Sequence, residues 1–471
     1  MTLSSGQLVE DEGREPTATP AMPEGGVHEV KQSNKRTVVV RLLPNGFQHR
    51  KLLKLADACA KLYNEINYER RQQFFREDRV DFKGTWNKYY NKYKSVLGAG
   101  NAQAVMQKNN EAWSSFFSLL KLKKEEKLPP FIKRISPPKY YKERENKKRK
   151  KILIVRQDRY VVDEENHKII LKDFHMEVKF AGRLQWYGRQ GRLEIIYDED
   201  KNRFYAYIPV EVGAETKSTG KPTKNIVKGE RRLIQKEEPK GNKTASIDLG
   251  INILASVVVD DGTWLLYKGT RAKEDFFYLQ KKIAEARSLE DRTKNMKLYE
   301  WAEELRLERR RLEEKLKRRI AHLYRTLASD LIKRLWSIGV STLYIGYPYD
   351  IAQERGNKLT DNFWSYRNLM NAIELKAQEY GIKVYEVIEY NTSRLCAYHG
   401  VEVVRNPRGV VKCPLGHKLH SDLNGALNIL KKAAGKTIQN IAKPLSYFVL
   451  HNGVAPAKGS NARDPGRALA L

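Results

Sequence analysis

The sequence is poor in cysteine, in acidic residues relative to basic ones, and in long apolar segments. Its 3 cysteines among 471 residues provide no disulfide framework, which favours a reducing compartment. No apolar run approaches the roughly 20 residues of a membrane-spanning helix, and no charged-then-apolar signal peptide opens the chain. These absences predict a soluble, cytoplasmic protein with no membrane partner.

The shortage of acidic residues leaves a large positive charge. The chain has 88 Lys and Arg against 57 Asp and Glu, a formal net charge of +31. An excess of this size argues for a polyanionic partner, above all nucleic acid, and in a prokaryotic cell for association with the nucleoid. The alternative is a basic soluble protein without such a partner.

Four potential metal ligands stand in two short pairs near the C-terminus. Two residues separate Cys396 from His399, and three separate Cys413 from His417. Thiolates and imidazoles in such paired spacing suit one closed, tetrahedral zinc site. His420 is an alternative to His417 as the fourth ligand. The sequence therefore predicts one structural Zn²⁺.

Three carboxylates lie at the ends of predicted elements. Asp248 is set in an apolar strand, Glu389 ends a later strand, and Asp422 opens an amphipathic helix. Grouping three such acids is unfavourable without cations, and two Mg²⁺ ions about 3.5–4 Å apart would support phosphodiester hydrolysis there. Two alternatives remain open: Asp248 as the cap of a turn before Gly250, and Asp422 as a residue favoured by the helix dipole.

Changes in hydrophobic periodicity predict a multidomain α+β protein. Short strands between polar turns indicate a small β-barrel or sandwich, interrupted by helices whose apolar residues recur three and four apart. A later strand–strand–strand–helix–strand–helix–strand order indicates a mixed sheet flanked by helices. The expected segments are a disordered tail at 1–34, the first barrel strand at 35–46, a helical domain at 47–140, the rest of the β-barrel at 141–215, a linker at 216–243, an α/β domain at 244–434 with a zinc-binding insert at 391–420, and a C-terminal tail at 435–471.

Several aromatic and basic residues are candidates for contact with nucleic acid. In WNKYYNKYKS, aromatic residues are interleaved with lysines, a pattern that can stack bases and neutralise phosphates. Aromatics at helical spacing are also typical of a core. Basic runs elsewhere would meet phosphates without sequence preference. The candidates are Trp86, Tyr89, Tyr90 and Lys92 in this stretch, Lys147, Lys148 and Arg149 in a basic run, and Arg310 and Arg318 on a long charged helix.

Three motifs resemble a known family. They are SIDLGIN around Asp248, TSRLC ending at Cys396, and SDLNGALNIL from Ser421. Together they resemble the TnpB family of transposon-encoded, RNA-guided DNA nucleases, which are related to type V CRISPR effectors and Fanzor proteins. The resemblance is specific from Ala245 to Ile429. It is looser upstream, where AQAVMQKNNEAWSSFF and LPPFIKR resemble the helical recognition region of the family.

The resemblance implies a fold and a set of roles. The β-barrel would be a wedge-type domain with the helical recognition domain inserted in it. The later α/β domain would be an RNase H-like (RuvC) nuclease domain that contains the zinc insert. Asp248, Glu389 and Asp422 would bind the two Mg²⁺ ions, and Gln103 and Gln107 would lie in the region that meets nucleic acid.

Two parts of the chain depart from the family pattern. The strand LYIGYPYDI has Gly346 where most members have a catalytic Glu. Glu389 in VIEYNTSRLC matches a displaced position that some relatives, including Fanzor proteins, use instead. Asp350 and Glu354 are weaker substitutes, and Glu389 as a surface residue is the remaining alternative. In the zinc block the family usually has two Cys-x2-Cys pairs, whereas here the second member of each pair is His.

We therefore expect an RNA-guided DNA endonuclease encoded by a transposable element. Its guide RNA would pair with double-stranded target DNA next to a short flanking motif. A cleavage-deficient, repressor-like RNA-guided DNA-binding protein is the alternative, because the usual Glu is missing at Gly346. A transposase acting directly in strand transfer is disfavoured, because the sequence has no His-x-His pair. The sequence identifies no protein partner.

Overall fold

The computed structural model describes residues 26–30, 35–76, 79–128, 132, 134–142, 148–186, 188–212, 234–347, 366–388, 392, 394–407 and 409–457. The described helices are α1 Gly46–Phe75, α2 Phe82–Leu97, α3 Ala99–Lys124, α4 Thr270–Asn295, α5 Tyr299–Ser337, α6 Tyr366–Glu379 and α7 Ser421–Ala434. The described strands are β1 Val27–Glu29, β2 Lys35–Leu43, β3 Ile152–Val155, β4 Tyr160–Asp163, β5 Lys168–Leu171, β6 Met176–Ala181, β7 Arg189–Gln190, β8 Leu193–Asp198, β9 Arg203–Glu211, β10 Lys243–Asp248, β11 Ile253–Val259, β12 Trp264–Lys268, β13 Val340–Tyr347, β14 Lys383–Ile388, β15 Val404–Arg405, β16 Val410–Lys412, β17 Lys418–His420, β18 Leu445–Leu450 and β19 Gly453–Pro456.

Helices α1, α2 and α3 are joined by a polar network around Arg70, whose side chain is fully buried. The Arg70 guanidinium donates to Thr85 Oγ1 (3.0 Å), Asn109 Oδ1 (2.8 Å) and Asn110 Oδ1 (2.6 Å). It also lies 4.6 Å from the ring centroid of Phe82. Burial lowers the pKa of Arg70 to about 10, so the group remains protonated at neutral pH. Because its partners lie on α2 and α3, Arg70 fixes how the three helices meet.

One antiparallel sheet combines β2 with β3–β9. Its order is β3-β8-β9-β2-β6-β5-β4, with β7 paired to β9. Alternate residues of β9 are buried, and this face shares a hydrophobic core with α1. Helices α1–α3 leave the sheet after β2 and return to it at β3, so they interrupt a single β domain. Among the described residues, β3 and β4 end the strand order without pairing to each other, so the hydrogen bonding forms an open path rather than a closed barrel.

The second large sheet carries the candidate site. Its order is β1-β14-β13-β10-β11-β12-β18-β19. Strands β10, β13 and β14 are parallel to one another, and β11 is antiparallel to both β10 and β12. Helices α4, α5 and α6 pack on one face, in a core that contains Ile247, Leu327 and Ile373. Helix α7 packs on the other face, where Leu427 shares a cluster with Val258. This is the mixed, helix-flanked sheet that the strand–helix order predicts.

Both predicted tails contribute strands to this sheet. Val27–Glu29 forms β1 and pairs with β14, although the sequence predicts a disordered tail there. In the predicted C-terminal tail, β18 pairs in parallel with β12, and Tyr447 and Val449 are buried in the core. The predicted disorder is wrong for Val27–Glu29, whereas the C-terminal segment, which the sequence predicts to be a partly ordered tail, is ordered at β18. Such short strands carry little periodic signal, and their partners β14 and β12 are distant in sequence. No helix in the described part of the chain is long and apolar enough to span a membrane.

Charged residues join the β8–β9 turn of the first sheet to the long helix α5, which packs on the second sheet. Asp200, between β8 and β9, accepts a hydrogen bond from Arg306 of α5 (3.4 Å) and pairs with Arg310 (2.9 Å). Its neighbour Lys201 pairs with Glu314 (2.6 Å). The β8–β9 turn therefore contacts α5 through ion pairs in which the turn supplies both an acidic and a basic residue.

We expect Arg70→Met to lower the free energy of unfolding by about 3 kcal/mol, because three oxygen acceptors lose a buried donor. Chemical denaturation followed by circular dichroism measures this change. Lys61→Met, at an exposed position of the same helix, is the matched control and should leave the unfolding transition in place. An unchanged transition for Arg70→Met would contradict the role of the network.

Candidate active site and metal centre

The carboxyl ends of parallel strands meet at one edge of the second sheet. Strand β10 ends at Asp248. The register pairs Ile247 with Ile345 on β13, and Gly346 with Val387 on β14. Asp248 therefore lies level with Gly346, the position where the family pattern has a Glu. Ligands of open α/β sheets bind outside the carboxyl ends of such strands.

Helix α7 places Asp422 over this edge. Ser246 Oγ of β10 donates to the Ala426 carbonyl (2.7 Å), a buried hydrogen bond that fixes α7 across the strand. Gly425 lies so close to Asp248 that a Cβ on Gly425 would be 2.2 Å from Asp248 Oδ2. Asp422 precedes Gly425 by three residues, and residues three apart share one helix face. The structure thus brings Asp248 to the face of α7 that carries Asp422.

The first turn of α7 favours a negative charge. His420 is the N-cap residue, and its ring accepts a hydrogen bond from Asp422 N (3.3 Å). Ser421 Oγ donates to Asp422 Oδ1 (3.1 Å). The positive end of the helix dipole stabilises a carboxylate at this position. Because the Asp422 side chain is also partly exposed, a ligand can reach it.

Helix α7 also holds the segment between β14 and the zinc-binding insert. Asn428 Nδ2 donates to the Thr392 carbonyl (2.7 Å), and Lys432 Nζ donates to the Ile388 carbonyl (3.0 Å) at the end of β14. These two anchored residues flank Glu389 in the sequence. Four predicted residues lie outside the described part of the chain: Glu389, Asp350, Glu354 and Lys147.

The asparagines of α7 are site residues that sequence reasoning missed. The buried Asn424 side chain accepts from Ala397 N (2.9 Å) and donates to the Leu395 carbonyl (2.8 Å). Asn428, one turn later, also donates to the Leu395 carbonyl (2.9 Å). Two asparagines four residues apart in a mainly apolar helix were the available signal. They tie the zinc-binding insert to the helix that carries Asp422.

Cys396, His399 and Cys413 form a group that could hold a metal ion, with ligand atoms all within 4.8 Å of one another. His399 Nδ1 is 3.3 Å from Cys413 Sγ. His417 Nδ1 is 3.8 Å from Cys396 Sγ, and its ring stacks on that of His399 with centroids 4.5 Å apart. His420 instead caps α7. Two thiolates with imidazoles are a donor set that zinc prefers.

Backbone hydrogen bonds build the two ligand turns. Gly400 N donates to the Cys396 carbonyl (2.8 Å), and Gly416 N donates to the Cys413 carbonyl (3.0 Å). Both glycines have positive φ, 70° and 99°, which a side chain disfavours. Leu415 N also donates to Cys413 Sγ (3.4 Å). Contacts between neighbours in the sequence therefore shape the turn at each pair of ligands.

The predicted aromatic platform on α2 largely belongs to the core. Tyr89 is buried, and its hydroxyl donates to Glu69 Oε2 (2.8 Å). Trp86 and Tyr90 are partly buried and pack against the same hydrophobic core. Lys92 is exposed, in an ion pair with a glutamate of α1 (2.8 Å). The helical spacing reflects packing here, and the Tyr89 ring is not available to stack on a base.

The other candidates for nucleic-acid contact lie on separate surfaces. Gln103 is partly buried and accepts a hydrogen bond from Arg156 (3.1 Å), whereas Gln107, one turn later, is exposed. Of the basic candidates, Lys148 and Arg318 are exposed, Arg149 pairs with Asp57 (3.0 Å), and Arg310 pairs with Asp200 (2.9 Å).

A groove lies between α3 and strands β7 to β9. Arg192 crosses it to pair with Glu111 of α3 (2.6 Å), and Arg189 pairs with Glu211 of β9 (2.8 Å). The groove therefore joins the helical domain to the β domain and combines cations and amides with three glutamates. Its lining includes Lys35, Gln107, Arg156, Arg189, Gln190 and Arg192.

Comparisons with known proteins identify two family segments and a full-length relative. Residues 207–352 match the family OrfB_IS605, described as a probable transposase, and residues 366–429 match the Cas12f1-like TNB domain. The chain is 68% identical over 459 residues to the TnpB-like protein ORF457 of Acidianus two-tailed virus, a match that covers 98% of this chain and 100% of ORF457.

Two solved structures are similar at low sequence identity. A cryo-EM structure of a Cas12f1–sgRNA–target DNA complex is 16% identical, covers 81% of each chain and has a TM-score of 0.49. A crystal structure of Alicyclobacillus acidoterrestris C2c1 with single-guide RNA is 9% identical, covers 89% of this chain and 73% of that chain, and has a TM-score of 0.32. The assignment rests instead on the full-length identity to ORF457: the chain belongs to the TnpB family.

Proposed function

We propose that the protein is an RNA-guided DNA endonuclease that cleaves DNA next to a short flanking motif. The observation that carries the proposal is the close approach of Asp248 to Gly425, on the helix face that also carries Asp422. Members of the TnpB family are RuvC-type nucleases, and the relationship extends over nearly the whole chain. Converging carboxylates at the ends of parallel strands suit metal-assisted hydrolysis of a phosphodiester.

The residues present fit hard divalent cations. Asp248 and Asp422 offer carboxylate oxygens, the ligands that Mg²⁺ prefers. Two bound Mg²⁺ ions would supply an activated water and neutralise charge on the leaving oxygen. The contact with Gly425 orients the Asp248 carboxylate, and the dipole of α7 offsets part of the charge on Asp422. These two contacts support a shared role for Asp248 and Asp422 in binding the metal ions.

We assign the third carboxylate to Glu389. Gly346, level with Asp248, has no side chain, so the inner strand β13 offers no acid at this point. Val387 pairs with Gly346, and Glu389 follows Val387 by two residues. The hydrogen bond from α7 to the Ile388 carbonyl supports this assignment, because it anchors the preceding residue.

Guide RNA and double-stranded target DNA are the proposed partners. A net charge of +31 suits a polyanion, and the exposed Lys148 and Arg318 suit contacts to its backbone, which carry no sequence information. The groove between α3 and the β domain suits the flanking motif. Its exposed Gln107 offers an amide, and amides bind the edge of adenine in the major groove.

One structural Zn²⁺ is proposed for the insert. Four protein donors would close the coordination sphere and leave no position for a substrate, as in structural zinc sites. Asn424 connects the insert to α7, so the ion would hold the insert in place relative to Asp422. The proposed ligands are Cys396, His399, Cys413 and His417.

An RNA-guided DNA-binding protein that does not cut is the second candidate. Gly346 favours it, because this residue removes the acid that most of the family has on β13. Such a protein would keep every contact with nucleic acid and lack only the third metal ligand. Cleavage measured separately from binding distinguishes the two candidates.

We expect the purified protein, with co-expressed RNA and Mg²⁺, to cut a plasmid that carries a matched target. Asp248→Asn, Asp422→Asn and Glu389→Gln should each lower the cleavage rate about a hundredfold or more, because each removes a carboxylate ligand of the Mg²⁺ ions that would stabilise the transition state. RNA-dependent binding to the target, measured by gel shift, should remain.

Two further variants sharpen this experiment. Asp291→Asn removes an exposed carboxylate from α4 and should cut like the wild type. In a Glu389→Gln background, Gly346→Glu should restore part of the activity, because residue 346 lies level with Asp248. Wild-type cutting by Glu389→Gln would refute the assignment of Glu389. Binding without cutting by the wild type would favour the second candidate.

A measurement of zinc content tests whether His417 or His420 is the fourth zinc ligand. We expect one Zn²⁺ per purified wild-type chain by mass spectrometry, and a loss of zinc in His417→Ala and Cys396→Ser. His420→Ala should keep the ion and only weaken the start of α7, because its ring caps that helix. Full zinc content in His417→Ala would contradict the proposed ligand set.

Gln107→Ala should relax the preference for one base of the flanking motif, with a loss of about 1–3 kcal/mol in discrimination. Binding to a library of flanking sequences measures this change. Lys124→Ala, exposed at the far end of α3, is the control and should weaken binding to all flanking sequences equally, if at all. An unchanged preference in Gln107→Ala would exclude it from motif reading.

A further inference from the structure

With Glu389 as the proposed third carboxylate, the acid follows an outer strand instead of standing on an inner one. Strand β13, which holds Gly346, lies between β10 and β14 and is paired on both sides. Strand β14, which leads into Glu389, would end the sheet if β1 were absent. An unpaired edge strand exposes its backbone groups to solvent and opens more readily than a central strand. A metal ligand that follows β14 therefore depends on what covers that edge.

Strand β1 and its flanking residues cover the edge of β14 up to Ile388, the last residue of β14. Val30 N donates to the Val384 carbonyl (3.0 Å), and Ile388 N donates to the Gly26 carbonyl (3.3 Å). The second bond lies at the end of β14, directly before Glu389 in the sequence. The strands approach closely here, because a Cβ on Gly26 would lie 2.7 Å from Ile388 Cδ1. The N-terminal strand thus satisfies the backbone at both ends of β14.

Side chains from the helices on the two faces of the sheet also contact β14, but they bind groups other than those that bond to β1. On one face Arg367 of α6 pairs with Glu386, beside Glu374, whose pKa is raised to about 7 by burial and by the charge of Glu386. On the other face Lys432 binds the Ile388 carbonyl. Neither contact uses the Ile388 N–H, which bonds to β1.

We propose that β1 is a positioning element of the active site: it fixes the end of β14 and thereby the strand that delivers the third carboxylate. The inference rests on the proposed function and deepens it. In this role the residues of β1 touch neither substrate nor metal ion. They act through β14, so their loss should disturb metal-dependent cleavage more than binding of RNA or DNA.

Two deletions test this role in the full RNA complex. Deletion of residues 1–30 removes β1, whereas deletion of residues 1–25 keeps Gly26 and all of β1 and is the matched control. Val30→Pro is a milder second variant: it removes the N–H that bonds the Val384 carbonyl and replaces a side chain that packs against the core, but it leaves β1 in the chain. Hydrogen–deuterium exchange at Val384–Ile388 reports on the strand without any need for cleavage.

We expect the 1–30 deletion to exchange faster at Val384–Ile388 than the 1–25 deletion, with Val30→Pro between them. Its cleavage rate should fall roughly tenfold to a hundredfold, and the Mg²⁺ concentration for half-maximal cutting should rise, as when supporting groups around a metal site are removed. RNA-dependent binding of target DNA should stay at the level of the control.

Each contrary result has a distinct meaning. Unchanged exchange at Val384–Ile388 would overturn the claim that β1 fixes β14. Faster exchange with an unchanged cleavage rate would overturn the positioning role alone. If the wild type and the 1–25 deletion also fail to cut, the proposed function fails and the positioning role fails with it, while exchange still decides whether β1 fixes the strand.

Discussion

The packing of α7 across β10 is the contact on which the rest of the site depends. A buried hydrogen bond from Ser246 to the Ala426 carbonyl sets the helix on the strand, and Gly425 leaves space for the Asp248 carboxylate. Any residue with a larger side chain at 425 would have to displace that carboxylate. Because α7 also carries Asp422, this one packing contact brings Asp248 of β10 against the helix face that carries Asp422, although the two acids are far apart in the sequence.

Helix α7 also links the carboxyl ends of the parallel strands to the zinc-binding insert. Buried amide groups need partners, and Asn424 finds them in the backbone at Leu395 and Ala397. Asn428 extends the contact to Thr392. The chain between β14 and the insert is therefore held along its length by α7. Disturbing the insert should reach the carboxylates through these hydrogen bonds, so zinc content and cleavage are expected to change together.

With Glu389 as the proposed third carboxylate, the acid follows β14 instead of standing on β13, and this changes what the fold must provide. An inner strand is held by ladders on both sides, whereas an outer strand needs a further partner to be equally rigid. The chain supplies that partner from its own N-terminus, as β1. In the sequence, β1 is followed by β2, which belongs to the other sheet.

Local spacing was enough to find the paired thiols and imidazoles, Asp248 at a strand end, Asp422 at a helix start and the strand–helix order of the second sheet, because each depends on neighbours in the sequence. Tyr89 shows the limit: its spacing fitted both a stacking platform and a core, and only burial decided between them. Strands β1 and β18 escaped detection because partners far along the chain hold them in place. The use of His420 as a helix cap is a local contact with Asp422, but its spacing also suited a metal ligand, so the sequence alone did not identify it. The approach of Asp248 to Gly425 required the tertiary structure, since contacts between distant segments leave no periodic trace in the sequence.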